Sequence, residues 1–227
     1  MQLKELCQHF QSRALFYPCA FHDIDTPIGT FLPYINEFWF ADVAYNHRRR
    51  PTPNVARYPQ ESRSHFELTG QTIRRRLPYT IPVTSTVYSA PELGCSFKVN
   101  LCEGRGYDVF HTVFRKTGRK LSVFFHRGDS EGEGGSDFYW LSHYPHPRGR
   151  GKGMFDYVLN SIELDGLIVT DGSNAMPEFA KFHSNNNVGS ECVTQCDAFE
   201  YSGRRFECVG YLGNRYGPTL VWTTNNS

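Results

Sequence analysis

Four short runs of this chain are apolar at almost every position, and they constrain its fold more than any other feature. They are Ala14-Leu15-Phe16-Tyr17-Pro18-Cys19, Glu37-Phe38-Trp39-Phe40-Ala41-Asp42, Leu121-Ser122-Val123-Phe124-Phe125-His126 and Leu167-Ile168-Val169-Thr170-Asp171. None shows the apolar-polar alternation of a strand with one wet face. Such runs are buried on both sides, the habit of parallel strands covered by helices. Around the first two, the order reads strand, tight loop, short helix, strand. Thr26-Pro27 suits an N-cap followed by Pro at the first helical position, and Pro33 lies at or near the helix end. Asp42 then stands at the carboxyl end of the second strand, where an open α/β sheet binds its ligand and an acid can accept hydrogen bonds from a ribose. The pattern places a nucleoside pocket there.

A chain of 227 residues can bury a sizeable core. Nothing in it reads as a low-complexity linker, so one α/β domain over residues 1–227 is expected. Its formal net charge of +1 gives no global field toward nucleic acid or membrane. The amino terminus, Met1-Gln2-Leu3-Lys4-Glu5-Leu6, is too polar for a signal peptide, and no run approaches the roughly 20 apolar residues of a membrane span. A cytoplasmic location without a membrane partner is the expectation. The cysteines, Cys7, Cys19, Cys95, Cys102, Cys192, Cys196 and Cys208, are odd in number and irregularly spaced, which fits reduced thiols. Cys192 and Cys196 suit one face of a helical turn, but no partner pair completes a zinc site, and no metal is assigned.

Along the chain, residues 1–13 read as a helix, with Leu3, Leu6, Cys7 and Phe10 at helical spacing. Residues 80–102 fit either an edge strand or a long crossing loop, and Tyr107 to Phe114 either a helix or a strand. Met154, Phe155, Val158, Leu159 and Ile162 form a helical apolar face, followed by a turn at Asp165-Gly166. Phe206 to Leu212 and Thr219 to Thr223 read as an antiparallel hairpin joined through residues 213–218.

Two further features bear on chemistry. Residues 128–137 hold four acids and four glycines in ten positions, directly after a buried strand and before the apolar anchor Phe138-Tyr139-Trp140-Leu141. Glycine lets backbone approach a ligand, and the acids, Asp129 and Glu133 foremost, are candidate catalytic groups. A soluble loop of no chemical role has the same composition. The arginine runs Arg48-Arg49-Arg50 and Arg74-Arg75-Arg76 lie among aromatics such as Tyr45, Tyr58 and Tyr79. That mixture can follow a phosphate backbone and stack a base, although short basic runs are more often solvated.

Phe155 to Asp171, FDYVLNSIELDGLIVTD, is similar to the late helix, glycine turn and strand of class I S-adenosylmethionine-dependent methyltransferases, and the closing hairpin resembles the antiparallel pair that ends that fold. With the opening strand, loop, helix, strand and acid, the resemblance covers about half of the chain and points to a divergent member of that superfamily. It implies a three-layer, mostly parallel Rossmann-like sheet with a C-terminal antiparallel hairpin, and S-adenosylmethionine as cofactor. By position, the resemblance puts Asp42 in the place of the ribose-binding acid and Asp129 at the start of the catalytic loop, while the carboxyl ends of the expected parallel strands give Cys19, Asp23, Asp42, Asp171 and Ser173 as the candidate cofactor site. The family's glycine-rich first loop is replaced here by Pro18-Cys19-Ala20-Phe21-His22-Asp23, and its D/N-P-P-Y motif by Arg127-Gly128-Asp129-Ser130.

Two functions follow as expectations. One is a divergent methyltransferase-like protein binding a nucleoside-containing small molecule, with an unassigned methyl acceptor. The other is a non-catalytic scaffold that engages nucleic acid, through Arg48, Arg49, Arg50, Arg74, Arg75 and Arg76, or a protein partner. A nucleotide hydrolase or transferase using the acidic loop and a divalent ion is a third possibility. The loops Cys19 to Asp25, Asp129 to Ser136 and Asp171 to Asn174 are expected to meet Asp42 at one edge of the sheet.

Overall fold

A computed structural model of the protein describes residues 3–46, 51–53, 67–68, 72–77, 80–127, 140–143, 153–172, 175–180, 198–212 and 219–226. Its strands are β1 (Ala14–Pro18), β2 (Glu37–Asp42), β3 (Glu67–Leu68), β4 (Ile73–Leu77), β5 (Ile81–Ala90), β6 (Cys95–Glu103), β7 (Leu121–His126), β8 (Ile162–Thr170), β9 (Ala198–Tyr201), β10 (Arg204–Leu212) and β11 (Thr219–Asn226). All belong to one sheet, in the order β3-β5-β6-β2-β1-β7-β8-β11-β10-β9, with β4 also paired to β5.

The four apolar runs form the centre. β6, β2, β1, β7 and β8 are parallel to one another in that order. Alternate side chains go to opposite faces, and both faces are buried. Phe16, Trp39, Ala41, Phe124 and Ile168 belong to one core. Leu15, Tyr17, Phe38, Phe40, Val123, Phe125, Leu167 and Val169 belong to the other. This is why these strands carry no polar stripe. The first core also holds residues of α3 (Gly106–Phe110), α4 (Met154–Ser161) and α5 (Pro177–Ala180). The second holds residues of α1 (Leu3–Cys7) and α2 (Asp25–Phe31).

The expected three-layer, mostly parallel Rossmann-like sandwich does not form. Six of the ten strand pairings among the described residues are antiparallel, and the architecture is a single mixed sheet with few helices. The helices are short, and the longest described one has eight residues. The chain between β2 and β6 is the main cause. Where a doubly wound fold would place a crossover helix, residues 81–103 form the long hairpin β5–β6 instead. Its β-branched run Ile81-Pro82-Val83-Thr84-Ser85-Thr86-Val87 favours extended backbone. Pro91–Leu93 makes the turn, and Gly94 closes it at φ 62°, a left-handed conformation in which a Cβ is disfavoured.

Several local expectations are corrected with it. Thr26 is not an N-cap; α2 begins at Asp25, and the Thr26 hydroxyl donates to Asp23 Oδ1 instead. The α1 helix is shorter than expected, ending at Cys7. Asp165 and Gly166 are not a turn between helix and strand but lie within β8, at the irregularity where its pairing with β7 shifts from Leu121–Ile162 to Val123–Leu167. A Cβ on Gly166 would come within 2.6 Å of Ile162 Cγ1 and 3.0 Å of Ser122 O, so glycine serves close strand approach here. The segment open between helix and strand becomes α3, continued by a π-helical turn at His111–Arg115. β10 and β11 pair antiparallel, while residues 213–218 lie outside the described residues. No described helix is long and apolar enough to cross a membrane.

Candidate functional site

The strand order reverses at β1. The chain runs outward from β1 through β2 to β6 on one side and from β7 to β8 on the other. Loops that follow β1 and β7 therefore leave in opposite directions, and the crevice outside their carboxyl ends is where such sheets bind ligands.

The loop after β1 is held from both sides. Asp42, at the end of β2 and 7% exposed, accepts the Phe21 backbone N–H at 3.0 Å through Oδ2 and the Ala44 N–H at 2.7 Å through Oδ1. Tyr45 donates its hydroxyl to Phe21 O at 2.9 Å. Ala20 N–H donates to Ala41 O at 3.3 Å and Asp23 N–H to Ala20 O at 2.8 Å. Under these restraints Cys19 and Phe21 adopt positive φ of 57° and 39°. Non-glycine residues enter that region at a cost of order 1–3 kcal/mol, and such strain clusters at ligand sites. The bulky replacement of the expected glycine turn therefore takes the glycine conformation without glycine. Phe21 does not fill the crevice from within: its ring is 43% exposed and lies 3.8 Å, centroid to centroid, from that of His22.

On the β7 side, buried Tyr17 links the two loops. Its hydroxyl lies 2.9 Å from Arg127 O, to which it donates, and 3.3 Å from Asp23 Oδ2. The Arg127 guanidinium lies 3.6 Å from Asp23 Oδ2, with Arg127 22% and Asp23 33% exposed, so this ion pair is partly exposed to solvent. Burial, reinforced by the charges of Asp23 and Asp171 and opposed by Arg127, holds the Tyr17 phenol well above its ordinary pKa. Burial and then the charge of Asp42 do the same for Tyr45. Both phenols are thus protonated donors at neutral pH. Beyond β8, Asp171 N–H donates to His126 O at 3.3 Å, and Gly172 N–H to Thr170 Oγ1 at 2.9 Å. His126 and Thr170 are both fully buried, with His126 Nδ1 3.5 Å from Thr170 Oγ1.

The structure thus brings Cys19, Asp23, Asp42 and Asp171 to one edge of the sheet, at the ends of β1, β2 and β8. Asp129, Glu133 and Ser173 lie outside the described residues, as do Arg48, Arg49, Arg50, Cys192 and Cys196. Both flanks of the acidic segment are described: Arg127 takes the Tyr17 hydrogen bond, and Trp140 packs at 6.0 Å from Phe16 and 5.4 Å from Phe110, between ring centroids. Sequence reasoning missed Tyr17 and Arg127, and it read Tyr45 as an aromatic available to stack a base beside the arginine run, whereas Tyr45 is buried and holds the Phe21 carbonyl. The signal for Tyr17 was available, since a hydroxyl near the end of a wholly buried strand needs a partner. Among the described residues no group of three or more His, Cys, Asp or Glu is placed to hold a metal ion.

Asp42, expected in the place of a ribose-binding acid, has both oxygens engaged by backbone and little open surface. Asp23 is more exposed than Asp42, at 33%, and its oxygens are also engaged, Oδ1 by the Thr26 hydroxyl and Oδ2 by Tyr17 and Arg127. The arrangement offers an exposed ring, a partly exposed Asp–Arg pair and a strained, tethered loop, which suits a small polar ligand with a planar group. The chain matches no family model, no curated protein and no solved structure.

Proposed function

We propose that the carboxyl edge between β1 and β7 binds a nucleoside-containing small molecule. The observation that carries this is the reversal of strand order at β1, with the loop of residues 19–25 clamped beside it by Asp42 and Tyr45. Phe21 is the stacking surface for the base. Asp23 and Arg127 present an acceptor and a donor to the sugar and its substituent. Asp42 shapes the loop. S-adenosylmethionine is one candidate nucleoside ligand, with methyl transfer as its reaction class, although the glycine turn on which the resemblance of residues 155–171 rested is part of β8.

The test is calorimetric titration of the protein with S-adenosylmethionine, S-adenosylhomocysteine, NAD and ATP, the last with and without magnesium. Saturable binding of a nucleoside ligand that falls at least tenfold in Asp23→Asn is expected. Preference for the two methionine-derived ligands supports methyl transfer, and failure of all four to bind overturns the reading. The alternative of a non-catalytic protein that engages nucleic acid is favoured by one observation: Arg74, Arg75 and Arg76 are exposed, and none forms an ion pair among the described residues.

A further inference from the structure

Strand β4 carries three consecutive arginines on the border of the sheet, and the register shows where they lead. β4 is antiparallel to β5, and β5 to β6, so β4 runs in the direction of the parallel strands. Arg75 pairs with Val83, Val83 with Cys102, Cys102 with Ala41 and Ala41 with Pro18. These five residues form one row across the sheet. Arg76 is one position further along and pairs with Pro82, in the row that crosses Glu103 on β6 to reach Asp42, where the tethered loop begins. At about 4.8 Å per strand, the four steps from β4 to β1 span on the order of 19 Å.

Strand alternation sends Arg75 toward one face and Arg74 and Arg76 toward the other, and the three meet at the exposed border of the sheet. Arg75 lies on the side of Trp39, its guanidinium 5.7 Å from the indole centroid. Arg74 and Arg76 pair with Thr84 and Pro82 and belong to the opposite face, and the three arginines with Pro82, Val83 and Thr84 line an open hollow of about 330 Å³. A charged border strand also prevents sheet-to-sheet aggregation, for which single charges suffice. Three adjacent guanidiniums with no acidic partner among the described residues, on a chain of net charge +1, concentrate positive potential at one place.

Resting on the nucleoside reading above, we propose that β4 is a docking track for single-stranded nucleic acid whose phosphates lie on Arg74, Arg75 and Arg76 and whose base reaches Phe21. Charge complementarity selects a polyanion. The distance excludes a mononucleotide as bridge and suits an oligonucleotide of several residues, within the range of known single-strand sites. A single strand is selected over a duplex because a paired base cannot present its face to an aromatic ring in a crevice.

The experiment is fluorescence anisotropy with a labelled mixed-sequence 12-nucleotide RNA, the same sequence as DNA, and its duplex, from 50 to 200 mM salt. Three phosphate contacts on a single strand give a slope of log K against log salt of about −2. That corresponds to roughly 20-fold weaker binding across this range. In R74Q/R75Q/R76Q the affinity at 50 mM should fall at least tenfold and the slope should shift by about 2 toward zero. Phe21→Ala should weaken single-strand binding about tenfold with an unchanged slope, as loss of stacking does. Equal affinity and slope in the triple variant, equal binding of duplex, or equally tight binding of poly-glutamate overturns the proposal. Nucleoside titration of the triple variant separates the two readings. Unchanged nucleoside binding with lost oligonucleotide binding supports the track; salt-dependent oligonucleotide binding that ignores Phe21, with no nucleoside bound, overturns the link between track and edge.

Discussion

Asp42 decides whether this edge is held by its own backbone or kept open for a ligand, and replacing it tests which. Its carboxylate accepts two backbone hydrogen bonds, at 3.0 and 2.7 Å, while only 7% exposed. Hydrogen bonds to a charged group contribute about 1.5–3 kcal/mol each, and buried donors left without a partner cost similar amounts. Water entering at the edge recovers part of this, so Asp42→Ala should destabilise the protein by about 3 kcal/mol. For a chain of this size that lowers Tm by roughly 6–12 °C. Asp42→Asn keeps one acceptor and turns an N–H₂ toward the other N–H, so about half of that loss is expected. The assay is urea denaturation with a thermal melt on the same samples, alongside nucleoside titration. The two substitutions should rank Asn above Ala in stability, and both should weaken the ligand by loosening the loop. A wild-type melting temperature in Asp42→Asn would refute the reasoning, because the carboxylate would then not be what holds Phe21 in place.

Other outcomes follow from the same geometry. Tyr17→Phe removes the hydroxyl that donates to Arg127 O and should cost about 1–2 kcal/mol by urea denaturation, while loosening the Asp23–Arg127 pair. Phe21→Gly relieves a positive φ of 39° and should leave stability within about 1 kcal/mol of wild type while reducing ligand affinity; a large loss of stability would mean that the ring is structural. Gly106→Ala places a Cβ 2.8 Å from Pro18 Cβ and 3.2 Å from Trp140 Cζ2, an overpacking worth about 1–3 kcal/mol, measurable as a lowered denaturation midpoint. Burial pushes the Cys7 thiol up to about 12 and also raises the Cys102 thiol and the Tyr17 and Tyr45 phenols. These groups stay protonated in the native protein when the unfolded chain has begun to lose protons. Their contribution is complete below about pH 8.5, the ordinary thiol value, and declines as pH rises from there toward 12. Cys7→Ala should flatten the first part of that decline.

What the sequence by itself determined is the set of buried strands β1, β2 and β7 at the centre of the sheet. The runs at residues 14–18, 37–42 and 121–126 are strands because an apolar hexamer with no polar stripe has no stable place except between two covered faces. The helical face from Met154 likewise appears as α4, since apolar spacing of three and four residues is a local property. The acids at strand ends were legible for the same reason, because a charge that ends a buried run marks the sheet's edge. What only the tertiary structure decided is pairing. Residues 81–90 contain nothing that says whether they fold back on 95–103 or cross to another strand, and that choice turned an expected three-layer sandwich into a mixed sheet. Asp42 was read as a ligand acid, yet its oxygens face the backbone of Phe21 and Ala44, and Phe21 is 21 residues away. Tyr17 and Arg127 meet across 110 residues. Such contacts depend on which strands become neighbours and in what register, which is set by burial over the whole sheet rather than by any local run.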